Sequence, residues 1–462
     1  MPSPPHPSSI GAWPSLADPR YPTPLAAELA ADVLERFLRY VRIDTQSDGD
    51  SDTYPSTAKQ RDLGEVLARE LREIGLEDVD FTEHGYVFAT LPGAGGPTVG
   101  LIAHMDTSSD ESGTNVKPQV VRDYDGGDLV LSGDPRKVLR AADNPILAER
   151  VGHDIVTTDG TTLLGADDKA GVAEIMGAVA YLAAHPEIEH APIRVGFTVD
   201  EEVGRGVEHF DIEAFGADFA YTLDGSEIGR IDDENFAASE LRIRIEGHSV
   251  HPGTAKGKLV NAIKLAARIV ERLPKDERSP ETTEGPEGFV HPTKITGTTA
   301  EAELRFIARD FDAHKLEAHE QLLRKLADDV AAEEPRAQVT VTVEESYRNM
   351  KEYLDANPAV TEAADEATRR SGLEPWREPI RGGTDGTMLS ARGLLTPNIF
   401  TGGHQFHSVL EWASVQDMAA SAATIVELAK LWAEPEWAIR SGAGSASASR
   451  SGTSGRTAAS PR

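Results

Sequence analysis

Three runs of the chain are apolar almost throughout, not at every second residue: TVGLIAH (98–104), IRVGFTV (193–199) and ADFAYTL (217–223). A strand buried on one face alternates. A strand covered on both faces does not, and such strands belong to sheets with helices packed above and below. Segments with helical spacing lie around them: 27–42 (AELAADVLERFLRYVR), 57–75, 168–184 (DKAGVAEIMGAVAYLAA), 207–214, 358–371, a stretch after Gly386, and 414–432. A further strand is expected at 85–91 and another at 396–400. Alternation of this kind predicts an α/β fold with a large doubly wound domain.

The rhythm changes near residue 236. The pattern there predicts a strand at 238–247, a helix at 258–273, strands at 288–296 and 300–309, a helix at 312–332 and a strand at 337–345. That order is βαββαβ, the ferredoxin-like unit. The α/β pattern returns after Asn349. The expectation is therefore a discontinuous large domain, 27–236 and 349–435, with a smaller domain at 237–348 inserted into it. Residues 1–26 are Pro-rich and 436–462 are rich in Gly, Ser and Ala. Both read as disordered extensions.

Charge and composition exclude several classes. Against 77 acidic residues stand 46 basic ones, a net charge of −31. Nucleic-acid binding needs a basic footprint, and an anionic membrane surface would repel this chain. No stretch approaches the roughly 20 apolar residues that span a bilayer. The start has no basic segment followed by an apolar core, so no signal peptide is read and a cytoplasmic location is expected. The chain has no cysteine, which removes disulfides, thiolate ligands and a cysteine nucleophile.

The chemistry lies where the predicted strands end. AHMDT puts His104 and Asp106 after the first run, and TVDEEVG puts Asp200, Glu201 and Glu202 after the second. LDG puts Asp224 after the third. LLGADDKAG places Asp167 and Asp168 before a helix, and FTGGHQFHS places His404 and His407 beyond 396–400. Each alone has an ordinary explanation: a helix N-cap, an Asp-Gly turn, a solvated acidic face. Together they bring imidazole and carboxylate groups to one edge of one sheet, where open α/β sheets bind ligands. Nitrogen and oxygen donors of this kind suit hard or borderline divalent cations. A two-cation site needs one carboxylate that bridges and about two more ligands on each ion, and His104, Asp167, Glu202, Asp224 and His407 supply that set. Neighbouring side chains diverge, so one of Glu201 and Glu202 is free to act as a general base.

Two other stretches stand out. GHSVHPGTAKG (247–257) carries His251 in a turn of the inserted unit. IRGGTDG (380–386) carries Arg381 before two glycines, and an arginine can grip a carboxylate with two parallel hydrogen bonds. There is no G-x-S-x-G elbow and no Walker loop. HKLEAH (314–319) spaces its histidines by five, not by the four of H-E-x-x-H.

With these motifs in order (HMDT, TTLLGADDKAGVAEIM, FTVDEEVGRGVEHFD, AYTLDG, VHPGTAKGKLVNAI, RDFD, RGGTDG, FTGGHQFHS), the chain resembles the peptidase T family. These are tripeptide aminopeptidases among the co-catalytic zinc metallopeptidases, which include carboxypeptidase G and the aminoacylases. The likeness spans about residues 27–435. It implies two Zn2+ per subunit, with His104 and Asp224 on the first and Glu202 and His407 on the second. Asp167 bridges them, Asp106 orients His104, and Glu201 is the base. It further implies that His251 holds the scissile carbonyl oxygen, that Arg381 binds the substrate carboxylate, and that the inserted domain is a lid and homodimer contact. The expected reaction is release of the N-terminal residue from tripeptides by a metal-activated water. Alternatives are an amidohydrolase of the same fold acting on N-acyl amino acids or C-terminal residues, and a non-catalytic metal- or peptide-binding protein. The chain departs from the family in one place: where His-Gly-x-His-Glu is expected it reads His407-Ser408-Val409-Leu410-Glu411.

Overall fold

The computed structural model describes residues 18–441. Of the extensions expected at 1–26 and 436–462, residues 1–17 and 442–462 lie outside the described residues. Within them, a helix already begins at Pro24, capped by the Thr23 hydroxyl, and a short helix, Pro435–Arg440, runs on where a tail was expected.

A seven-stranded sheet organises the larger part. Its order is Glu77–Phe81, Val87–Leu91, Ile193–Thr198, Val99–His104, Phe219–Gly225, Asn398–Phe400, Ile231–Asp232. The four strands from Ile193 to Phe400 in that order are parallel; the outer ones are antiparallel, so the sheet is mixed. The apolar runs are its centre, and Val99–His104 is buried at all six positions. Both faces are covered. Helix Ala166–Ala184 packs close enough that a Cβ on Gly171 would stand 2.0 Å from the Leu223 carbonyl oxygen, which is why a glycine is needed there. Phe215 covers Gly100 and Gly196 from the opposite face. The antiparallel hairpin with Glu77–Phe81 escaped the sequence reading, because this EDVDF strand is mostly exposed and carries no apolar run.

The inserted unit has its own core and its own four-stranded sheet, ordered Phe289–Gly297, Glu301–Asp310, Ala237–Glu246, Gln338–Tyr347, all antiparallel. Helices Ala262–Glu271 and Ala313–Glu333 lie against it, the βαββαβ arrangement expected. The two chain crossings into it are stitched by buried amides. Asn235 Oδ1 accepts from Met350 N–H at 2.7 Å, and Asn349 Oδ1 accepts from Asn235 N–H at 3.2 Å.

A third feature was not legible: a small sheet ordered Gly403–His404, Trp412–Ser414, Ile155–Thr157, Gln119–Val121. Its strands are only two or three residues long and come from distant parts of the chain, so no periodicity announces them. It carries the loop that holds His407.

Candidate metal centre

Three parallel strands deliver the first half of the site. His104 ends its strand and is 2 % exposed. Met105 N–H then donates to the Thr198 carbonyl, which keeps adjacent strand ends level. Asp106, fully buried, accepts from the backbone N–H groups of Glu201 (3.1 Å) and Glu202 (3.2 Å). It also lies 3.4 Å from His104 Nδ1, so it both orients the imidazole and fixes the turn carrying the two glutamates. That turn, Glu201–Val203, closes on Gly204 at φ 71, where glycine is at ease. Asp200 precedes it at φ 59 and is anchored from behind by Ser56 N–H and Gln60 Nε2, both 2.6 Å. The crowded acids of DEE thus divide their work: Asp200 binds backward into the protein, and the turn frees Glu201 and Glu202.

The second half comes from loops. Asp167 bridges the two halves: Oδ1 is 2.9 Å from His104 Nε2, and Oδ2 is 3.4 Å from His407 Nε2. His407 Nε2 is also 2.8 Å from Glu202, and Asp224 lies 3.7 Å from His104 Nε2. The structure therefore brings together His104, Asp106, Asp167, Glu202, Asp224 and His407, with Glu201 on the same turn. Two groups of converging donors stand out, His104–Asp167–Glu202 and His104–Asp168–Asp224. In the second, Asp168 Oδ2 already accepts the His104 backbone N–H at 3.2 Å and its Oδ1 accepts Gly171 N–H, which makes Asp168 an anchor of the strand end.

His404, the other histidine of FTGGHQFHS, is stacked on Trp412 at 4.2 Å, outside the cluster, and burial lowers its pKa to about 3. His251 is exposed and its Nδ1 accepts from Gly253 N–H at 3.1 Å. Arg381 donates to the Thr283 carbonyl (2.9 Å), the Thr283 hydroxyl (3.1 Å) and the Glu287 carbonyl (3.1 Å). Among the described residues no hydrogen bond or ion pair joins His251 or Arg381 to the cluster. Three residues were missed by sequence reasoning. Asp110 backs His407 Nδ1 at 3.2 Å, as Asp106 backs His104; its place four residues after Asp106 was the available signal. Glu411 receives three backbone N–H groups, from Leu164, Gly165 and Asp167. Asp385, in RGGTDG, is buried and accepts from the Thr198 hydroxyl at 2.6 Å.

Electrostatics shows what the pocket is built to hold. Burial opposes charge on His104, yet Asp106, Asp167 and Asp224 carry its pKa well above the ordinary value. Asp167 and Glu202 raise His407 to about 11. Burial pushes Glu201 well above the carboxylate range and Glu202 up to about 7. Glu202 Oε1 is buried with no hydrogen-bond partner. Carboxylates that converge around protonated imidazoles, with one oxygen unpartnered, fit divalent cations, which would replace those protons.

Comparison with known proteins agrees. Peptidase T of Geobacillus thermodenitrificans is 48% identical over 404 residues, covering 87% of this chain and 98% of that protein. Peptidase T of Clostridium botulinum strain 657 is 49% identical over 405 residues, covering 87% and 99%. The chain belongs to the peptidase T family. It is accordingly a hydrolase, a metal-dependent peptidase. Residues 234–335 match the peptidase dimerisation domain. Among solved structures, a tripeptidase from Staphylococcus aureus aligns with TM-score 0.68 at 25% identity, covering 87% of this chain and 98% of that one. Aminopeptidase PepT from Bacillus cereus aligns with TM-score 0.66 at 24% identity, covering 88% and 99%. A Bacillus subtilis protein described as a dinuclear metal-binding peptidase of the M20 family has the same fold, with TM-score 0.59 at 16% identity over 87% and 98%. The mixed sheet with an inserted βαββαβ unit is thus the peptidase T architecture.

Proposed function

We propose that the protein is a zinc-dependent tripeptide aminopeptidase. The observation that carries this is Asp167, with one carboxylate oxygen toward each histidine, beside a glutamate that is not among the converging donors. His104, Asp224 and Asp167 would hold one cation; Glu202, His407 and Asp167 the other. When bound, such a pair lowers the pKa of a water and polarises the scissile carbonyl. Glu201, held by its backbone on Asp106, accepts the proton of the attacking water and returns it to the leaving amine. The acidic cleft favours a substrate ammonium group, and Arg381 its carboxylate; for that, Arg381 must exchange the Thr283 and Glu287 contacts. His251 reaches the carbonyl oxygen only when the inserted domain closes or a second subunit presents it. The dimerisation-domain match supports a homodimer. No helix of the described residues is long and apolar enough to cross a membrane, and a cytoplasmic site of action goes with this reading.

The test is hydrolysis of di-, tri- and tetrapeptides with chelator and with zinc restored. Zinc-restored cleavage that peaks at tripeptides and frees the N-terminal residue is expected. Cleavage confined to N-acyl amino acids or C-terminal residues would move the substrate, and inactivity in every metal state would leave a binding protein. Glu201→Gln should cost about 10²–10⁴-fold in kcat while zinc uptake is unchanged.

A further inference from the structure

We propose that Glu411 is a positioning residue that sets the distance between the two halves of the metal centre, and that the second cation depends on it more than the first. The inference rests on the two-cation reading above. Glu411 is 1 % exposed, and its carboxylate is shared among three donors of one loop. Oε2 accepts from Leu164 N–H at 2.7 Å and Gly165 N–H at 2.8 Å; Oε1 accepts from Asp167 N–H at 3.0 Å. The last of these is the backbone of the bridging aspartate. Fixing that N–H fixes where both Asp167 oxygens point, one to His104 and one to His407.

The other end of Glu411 is equally committed. Four residues before it stands His407, at φ 59, and Gln405 is also at φ 59. Immediately after it, Trp412 enters the small sheet opposite Thr157. Glu411 N–H donates to Ser408 O at 3.1 Å, which closes the His407 loop onto its own base. One residue thus ties the loop of Asp167 to the loop of His407. His104, Asp106, Glu202 and Asp224 come from strand ends and do not depend on it. The consequence is graded: through Asp167 the loss of Glu411 reaches both cations, but the one that also needs the His407 loop is weakened more.

A purely structural reading is that Glu411 merely satisfies N–H groups at the start of helix Ala166–Ala184. Stepwise metal uptake separates the two. Full-length protein, stripped and then titrated with Zn2+ by calorimetry, should take two equivalents; Glu411→Gln, which lacks one anionic acceptor, should lose about fivefold or less on the first and about 10–100-fold on the second. Substitution by Co2+ should show the same loss as a missing second increment of absorption. Glu411→Asp keeps the charge but shortens the reach, and should show the same selectivity if Glu411→Gln does not fold. Uniform weakening of both cations, or wild-type affinity for both, overturns the proposal. A wild-type stoichiometry below two overturns the binuclear reading itself, and this role with it.

Discussion

The two histidines of the centre are built by opposite means. His104 ends a central strand, is 2 % exposed, pairs with Thr198 on one side and donates its backbone N–H to Asp168. His407 sits in a loop at φ 59 with its side chain 40 % exposed, and is placed by a sheet of two- and three-residue strands. The same ligand type, in the same site, is thus a core residue on one side and a surface residue on the other. The first half of the site is built on the central sheet; the second is built on loops braced by the small sheet.

The sharpest way to break that contrast is to delete each imidazole in the metal-free protein. His104→Ala leaves Asp106, Asp167 and Asp224 buried without their positive partner. Removing one member of a buried charge network costs about 3–5 kcal/mol. His407→Ala removes a half-exposed group that pairs with the buried Glu202 and should cost less, about 1–3 kcal/mol. Urea unfolding of the two variants checks this, and equal losses would mean that the loop half is as integral as the strand half.

A smaller effect concerns protons. His104 and His407 bind protons more tightly in the metal-free fold than in the unfolded chain. For a raised pKa, the stabilisation is complete below the unfolded value, near 6.5, and is lost as pH rises through the folded one, about 11 for His407. Metal-free protein should therefore lose this contribution at alkaline pH, and zinc uptake at neutral pH should release protons. Calorimetry in buffers of different ionisation enthalpy measures that release; its absence would mean that the imidazoles are already neutral.

A further effect lies away from the site, where it gives the baseline. Glu174 is fully buried between helices Ala166–Ala184 and Val415–Ala433, with Oε2 on the Ser421 hydroxyl at 2.6 Å and Oε1 unpartnered. Burial raises its pKa well above the usual value. Stability should fall as pH rises from the unfolded pKa toward the folded one, by about 1.4 kcal/mol for each pH unit in that interval. Glu174→Gln should flatten that slope, read from denaturation midpoints at pH 5 to 9, without altering zinc stoichiometry.

Much of this was legible in the sequence. The apolar runs marked the buried strands, and HMD, DEE and LDG at their ends marked side chains that converge in the cluster, because a strand's end fixes where the next side chains go. The βαββαβ order followed from periodicity, since each element buries its own stripe. The hairpin with Glu77–Phe81 and the small sheet carried no such stripe, and with them the roles of Glu411 and Asp110 stayed hidden.

What the sequence determined by itself was the inventory of candidate ligands and the sheet edge that gathers it. The motif order already selects His407 of FTGGHQFHS; how the fold parts it from His404 is decided by tertiary structure. The backbone pairing of Gly403–His404 with Trp412–Ser414 buries His404 on Trp412 and turns His407 back to Asp167 and Glu202. The same is true of Arg381, whose donors go to Thr283 and Glu287 in the inserted domain. The physical reason is the same in both cases. Local pattern encodes which face of an element is buried, whereas the partner of a loop side chain depends on segments hundreds of residues away.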